Sequence, residues 1–310
     1  MVEEKVENYY QGIYLTETVM GNPNGDFIDN SPRNFDGKVF TTDKCIKYNI
    51  RRYIKENLEN LENNEDVVFF YPRLVDGANF EDAKYQTRDD VMKNIFGNDF
   101  EKLLKSSPDV RMFGGTFSFK KDSKQIYGPI QLSYGIDLND AEIKRLQIGA
   151  PFATKSGTQK TNGSEYVVDD AIISYDISVN PNNYPNLLRE EDLELFKKSL
   201  WFGTNLRKST SKKTDSKFLM LIKFKNISNI EGKVSAISIG ELKELVSINN
   251  KKTRGMGIGQ IELNMDKLLS KLNKYDEYIE NIDIYFDEDE IQLNVPDNSK
   301  INKFTPNDLI

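Results

Sequence analysis

Apolar positions along the chain follow two periods, and the switch between them outlines the elements. Residues 9–20, YYQGIYLTETVM, are rich in β-branched and aromatic types and stop at Asn22-Pro23-Asn24-Gly25-Asp26, which predicts a first strand and then a long loop. From Thr42 to about Asn60, Ile46, Ile50, Tyr53, Ile54 and Leu58 recur at helical spacing, with Thr42 or Asp43 as N-cap. Residues 66–71, DVVFFY, predict a second strand, and the mixed polar stretch from 72 to about 110, helical in pieces around 89–105, reads as an insertion. A strand over Gly128–Ile136 follows. Residues 147–167 have two moderately apolar arms around a polar middle holding Lys155, Gly157, Lys160 and Gly163, the pattern of a long protruding hairpin. A two-stranded hairpin has little core of its own, so it must find a partner surface or stay mobile. A strand over Ala171–Val179, a helix over Arg189–Leu206 with Leu193, Phe196, Leu200 and Trp201 on one side, and the buried strand FLMLIKF complete the central pattern. Residues 281–295, NIDIYFDEDEIQLNV, alternate like a strand pair around an acidic turn. The order fits an α+β fold of ferredoxin-like or RNA-recognition-motif-like type, with helices on one side of the sheet and insertions.

Composition narrows the chemistry. The 310 residues, 38% hydrophobic and 29% charged, suit a globular chain of one or two domains. MVEEKVENYY carries acidic groups where a signal peptide is basic and then apolar, and no run reaches the roughly 20 apolar residues of a membrane span, so a soluble, cytoplasmic protein is expected. A single cysteine, Cys45, excludes an internal disulfide framework and a multi-cysteine zinc site. The absence of histidine removes the usual general base near neutral pH and the commonest transition-metal ligand. Catalysis would have to rest on carboxylates holding Mg²⁺, or on Lys, Tyr and carboxylate acid/base work.

The net charge of −7 argues against a nucleic-acid partner until its distribution is read. Residues 262–310 hold 12 Asp/Glu against 5 Lys, leaving 37 charges of each sign in residues 1–261. Within that neutral part, Arg207–Lys225 carries seven Lys/Arg against only Asp215. Lys44, Lys47, Arg51 and Lys55 fall on one face of the first predicted helix, away from its apolar stripe, and two readings stand: a solvated face, or a track for a phosphate backbone. The loop from Lys251 to Gln260 places Lys251, Lys252 and Arg254 beside Gly255, Gly257 and Gly259. It lacks the last glycine and the flanks of a dinucleotide site, which leaves a surface turn or a phosphate-wrapping loop. Asp26, Asp29 and Asp36 crowd the first loop, where carboxylates either hold Mg²⁺ or, more simply, cap turns. Phe202–Lys212 combines cations and hydroxyls, the usual phosphate and sugar contacts, which give register without sequence readout.

Several ordered motifs then carry a resemblance. Asn22-Pro23-Asn24-Gly25-Asp26 after a first strand, Thr42-Asp43 opening a helix with Lys47 and Arg51, Asp109-Val110-Arg111-Met112-Phe113-Gly114-Gly115 and Gly128-Pro129-Ile130-Gln131 resemble the Cascade backbone subunit of type I CRISPR systems, the Cas-seven family, in its type I-B form. Glu191-Asp192-Leu193, Leu200-Trp201 and Arg207-Lys208-Ser209 continue the match. The chain departs from relatives in lacking a histidine after the first loop and an Arg-Gly ending to the basic loop. The resemblance implies a palm of RNA-recognition type over residues 1–65, 120–138 and 168–310, a helical fingers insertion over 66–119, and a thumb hairpin over 139–167. It implies a non-catalytic subunit without cofactor, coating CRISPR RNA (crRNA) in several copies, beside other Cascade subunits, and presenting the guide for pairing with target DNA. By position, Asn24, Arg33, Thr42, Lys47, Arg51, Arg111, Gly114, Arg207, Lys208 and Ser209 would contact the guide, with Lys155 and Lys160 on the hairpin. The rivals are a type III-like backbone subunit that cuts target RNA with a loop aspartate, and an assembly protein without RNA.

Overall fold

In the computed structural model the first strand, β1 (Tyr10–Gly21), is buried on both faces along most of its length, its polar Gln11, Thr16, Glu17 and Thr18 included. The described residues are 4–59, 61, 65–75, 84–119, 122–153, 160–226, 237–251, 253–254, 256–296 and 298–310. A short hairpin follows, β2 (Asn34–Phe35) and β3 (Lys38–Thr41), and then α1 (Asp43–Asn57), α2 (Arg88–Phe96), α3 (Phe100–Ser106) and α4 (Pro108–Phe113). Next come β4 (Gly114–Phe119), β5 (Asp122–Tyr127), β6 (Ile130–Leu132), β7 (Gly135–Asp137), β8 (Ile143–Ala153) and β9 (Lys160–Val179). The chain continues through α5 (Glu190–Leu206), β10 (Thr214–Phe224), β11 (Ser247–Ile248), β12 (Ile261–Asn264), α6 (Asp266–Lys274), β13 (Ile279–Phe286), β14 (Ile291–Leu293) and β15 (Ile301–Phe304).

The fold is mixed α/β. One large sheet runs β15-β13-β10-β1-β9-β7-β3-β2, with β6 and β8 also on β9. Alternation along β1 splits the core: Tyr10 and Tyr14 point to one face and Ile13 and Leu15 to the other. The first face is covered by α1 and α5 through Ile46, Ile50, Ile54, Phe196, Leu200 and Trp201, each worth about 1.5–3 kcal/mol on burial. The two helices approach closely because residue 203 is glycine; a Cβ there would lie 2.6 Å from the Asn49 carbonyl oxygen.

The opposite face is covered as well, contrary to the expectation of helices on one side only. Leu268 and Leu272 of α6, with Ile261 and Leu263 of β12 and Ile291 of β14, pack on Ile13, Phe218, Met220 and Ile222. β13 and β14 do not form the expected strand pair: β13 lies between β10 and β15, while β14 joins the small sheet β11-β12-β14. The acidic turn between them connects two layers.

The insertion has its own core of Phe69, Val91, Phe96, Leu103, Phe117 and Ile126. Residues 66–71 are not a strand; the Phe69 and Phe70 amides donate to Asp109 instead of to a ladder. β5 pairs with β4, which carries the insertion's own sheet to Tyr127, past 119. The strand expected over Gly128–Ile136 is broken into β6 and β7 around Ser133 and Tyr134. The expected hairpin is longer than its apolar arms: among the described residues β8 pairs only with β9, and β9 continues without a break into the sheet's interior. Among the described residues no helix is long and apolar enough to cross a membrane.

Candidate nucleic-acid interface

Two loops meet over the first turn of α1. The loop after β1 is shaped by its own carboxylates: Asp26 Oδ1 accepts from the amides of Ile28 and Asp29, and Asp29 Oδ1 from that of Ser31. These are turn caps, and no three His, Cys, Asp or Glu side chains gather to hold a metal among the described residues. Asp36 and Gly37, at φ +47° and +81°, form the two-residue turn of the β2–β3 hairpin. Asn24 Oδ1 accepts from both the amide and the hydroxyl of Thr42, at 3.1 and 3.2 Å, fastening the loop to the N-cap of α1. Arg33 returns beside Asn24, its amide 3.0 Å from the Asn24 carbonyl, and lays its guanidinium over Phe27.

The second loop follows α5. Asn22 N–H donates to the Ser211 carbonyl at 2.7 Å and Lys212 Nζ to the Asn22 carbonyl at 2.8 Å, so the two loops are stitched together. Ser209 Oγ accepts from the Lys212 amide at 3.0 Å. Arg207 donates to Asn49 Oδ1 at 2.8 Å and lies over the Tyr48 ring at 4.6 Å. Arg207 and Lys212 are thus held by neutral acceptors, and neither meets a carboxylate at ion-pair distance among the described residues. Burial lowers the pKa of Lys212, with the Arg207 charge adding to the effect. Lys44 and Lys213 are exposed beside them, and Lys208 is partly neutralised by Asp215. Set beside the N-terminal turn of α1, these groups make a positive seam.

Other residues singled out in the sequence point elsewhere. Lys47 pairs with Asp43 at 3.2 Å and lies over Phe113; burial depresses its pKa, against the pull of Asp43. Arg51 Nε donates to Asp109 at 3.0 Å between the rings of Phe70 and Phe113. Arg111 is 2% exposed and forks onto Asp192, 1% exposed, through two 2.8 Å hydrogen bonds. Burial disfavours its charge, and the Asp192 carboxylate more than offsets this, so its pKa is raised. As folded, Arg111 ties α4 to the start of α5 and is almost wholly buried. Gly114 is buried with φ +64°; a Cβ there would stand 2.1 Å from the Ile126 carbonyl oxygen, so a chain crossing accounts for it.

Lys160 begins β9, and Lys155 lies outside the described residues. In the glycine-rich loop, Arg254 is buried against Glu17 and Asp170, Lys251 pairs with Asp140 at 2.8 Å, and Ile258 faces outward; Lys252 and Gly255 lie outside the described residues. The seam therefore gathers Asn24, Arg33, Thr42, Arg207, Lys208 and Ser209, and adds Lys44, Lys212 and Lys213. The contribution of Lys212 was open to sequence reasoning through the density of cations after Arg207. The β2–β3 hairpin was signalled by Asp36-Gly37, the strongest short-range hairpin pair.

The comparisons extend this geometry. A chain of a solved "CRISPR RNA-guided surveillance complex, pre-nicking" matches with a TM-score of 0.52 over 97% of this chain and 98% of that one, at 8% identity. A chain of a second "CRISPR RNA-guided surveillance complex" matches with a TM-score of 0.46 over 93% and 95%, at 11% identity. At 8% identity the first likeness is one of fold. No curated protein matches in sequence. The family model for CRISPR-associated protein Cas7 matches residues 8–266, a span that runs from before β1 to the first residue of α6 and takes in both loops of the seam. The chain belongs to the Cas7 family of CRISPR-associated proteins.

Proposed function

We propose that this chain is a backbone subunit of a Cascade-type interference complex. Several copies coat one crRNA, hold its phosphates without reading its sequence, and leave its bases to pair with target DNA beside the other subunits. The observation that carries this reading is the seam over α1, where Arg207 and Lys212 keep uncancelled charges on neutral supports beside the helix's first turns. The role asks for binding and positioning, with no chemistry from this chain. A palm of RNA-recognition type corresponds to the large sheet with α1 and α5. The fingers correspond to the insertion from residue 66, ending at Tyr127 where β5 closes on β4, and the thumb to the β8–β9 hairpin, which among the described residues meets no other strand along β8. On this reading Lys160, at the start of β9, and Lys155, which precedes it in sequence, would meet RNA or a neighbouring copy.

Coexpression with a CRISPR array tests the reading. Uniform small RNA copurifies with the intact chain, and an Arg207→Ala, Lys212→Ala variant loses it while keeping its unfolding midpoint. Protein free of nucleic acid would contradict the reading, and a complementary RNA target cut in the presence of Mg²⁺ would favour the rival in which a loop aspartate cleaves.

A further inference from the structure

Beside the seam, at the outer edge of the large sheet, β3 and β7 carry a groove of about 510 Å³ lined by Phe35, Phe40, Tyr134 and Ile136, with Asp36 and Lys38. Phe35 is 75% exposed and Tyr134 52%. The rings of Phe40 and Tyr134 lie nearly parallel, 13° apart in plane and 6.2 Å between centroids. Large aromatic surface left open on a folded chain marks a binding surface. We infer that this groove is a stacking platform for an unstacked nucleobase of the bound RNA strand, an inference that rests on the function proposed above.

Three observations favour a base. The groove carries no surplus of positive charge: its lining holds one cation, Lys38, against one carboxylate, Asp36, and Lys38 also lies 4.0 Å from Asp140, so it offers ring faces and no cation set apart for a phosphate. It is continuous with the seam, because the Phe40 amide donates to the Arg33 carbonyl at 3.0 Å and Phe40 stands two residues before Thr42. A strand whose phosphates follow Arg33 and the start of α1 passes beside these rings. Finally, aromatic and cationic groups interleave across the whole region, with Arg33 over Phe27, 98% exposed, and Arg207 over Tyr48. Alternating cations and open rings are how proteins hold single strands without reading sequence, since every base has a stackable face. The β2–β3 hairpin supplies Phe35, so the Asp36-Gly37 turn builds one wall of the platform.

The test uses the full chain and a short single-stranded RNA carrying 2-aminopurine, whose fluorescence falls on stacking. The unaltered chain quenches it, while Tyr134→Ala and Phe35→Ala each relieve the quench and weaken binding about tenfold, the order found for one base–aromatic stack. Tyr134→Phe behaves as the parent, because the ring and not the hydroxyl carries the contact. The slope of log affinity against log salt stays unchanged in all three, since no phosphate contact is lost. Unchanged affinity and quenching in both alanine variants overturns the platform alone. The platform is also overturned if affinity for short RNA holds while association between copies falls, an outcome that assigns the groove to protein contact. RNA binding without salt dependence in the unaltered chain overturns the seam and the platform together.

Discussion

On α1 and the insertion, Lys47, Arg51 and Arg111 each face a carboxylate, whereas over the first turn of α1 Arg207 and Lys212 face only neutral acceptors. Both sets are basic stretches in the sequence. The first joins the insertion to the sheet's helices through Asp109 and Asp192, 0% and 1% exposed, and its charges are spent inside the chain. The second stands on a loop stitched to another loop, with its charges still to be met. A cation's role thus follows from whether the fold brings it a carboxylate, and spacing along a helix does not carry that information.

Breaking the inward set has the largest effect. Arg111→Ala leaves Asp192 buried without its partner and costs about 3–5 kcal/mol, read as a fall in the denaturant midpoint. Reversing Lys47 and Arg51 to Glu sets like charges against Asp43 and Asp109, so loss of folded protein precedes any loss of RNA. An Arg111 variant as stable as the parent would remove the inward role. Arg207→Ala sharpens the outward set: affinity for single-stranded RNA drops and the salt slope shrinks by about 0.7, the share of one phosphate contact, while the unfolding midpoint barely moves.

A third test concerns a carboxylate placed between these extremes. Asp176 accepts from the amides of Leu242 and Lys243, yet burial and the neighbouring Glu241 push its pKa up to about 6. Its folded value is raised above the unfolded one, so the native state binds the proton more readily, and this group's contribution to stability falls as pH rises from about 4 to 6. Asp176→Asn removes that slope, measured by urea midpoints across the window, and an unchanged slope would count against the shift. The smallest effect is expected from Asp26→Asn, which keeps the cap acceptor of its turn: RNA affinity stays at the parent's value, and a marked fall would give that carboxylate a role beyond the turn.

Much of the fold was legible because its strongest elements obey simple periods. β1, α1, α5 and β10 lie where their apolar positions put them, and Thr42 stands at the N-cap of α1. DVVFFY reads as a strand by composition, but Asp109 takes the amides that a ladder would use. The alternation over 281–295 shows two strands and cannot show that they join different sheets, since pairing partners are set by β10, β12 and β15, which lie outside that stretch. At the site, the loops were visible through their turn formers and cations. The inward turn of Arg51 and Arg111 was not, because Asp109 and Asp192 lie 58 and 81 residues away and reach them only through tertiary packing.

The central claim is that the seam holds an RNA backbone without reading its sequence. Its most direct test is the affinity of the purified chain for unrelated single-stranded RNAs of equal length over a range of salt. The account predicts parallel straight lines of log affinity against log salt, close together for all sequences, with a slope of about −0.7 for each phosphate held. Affinity that ignores salt, or that separates the RNAs by sequence, would contradict it.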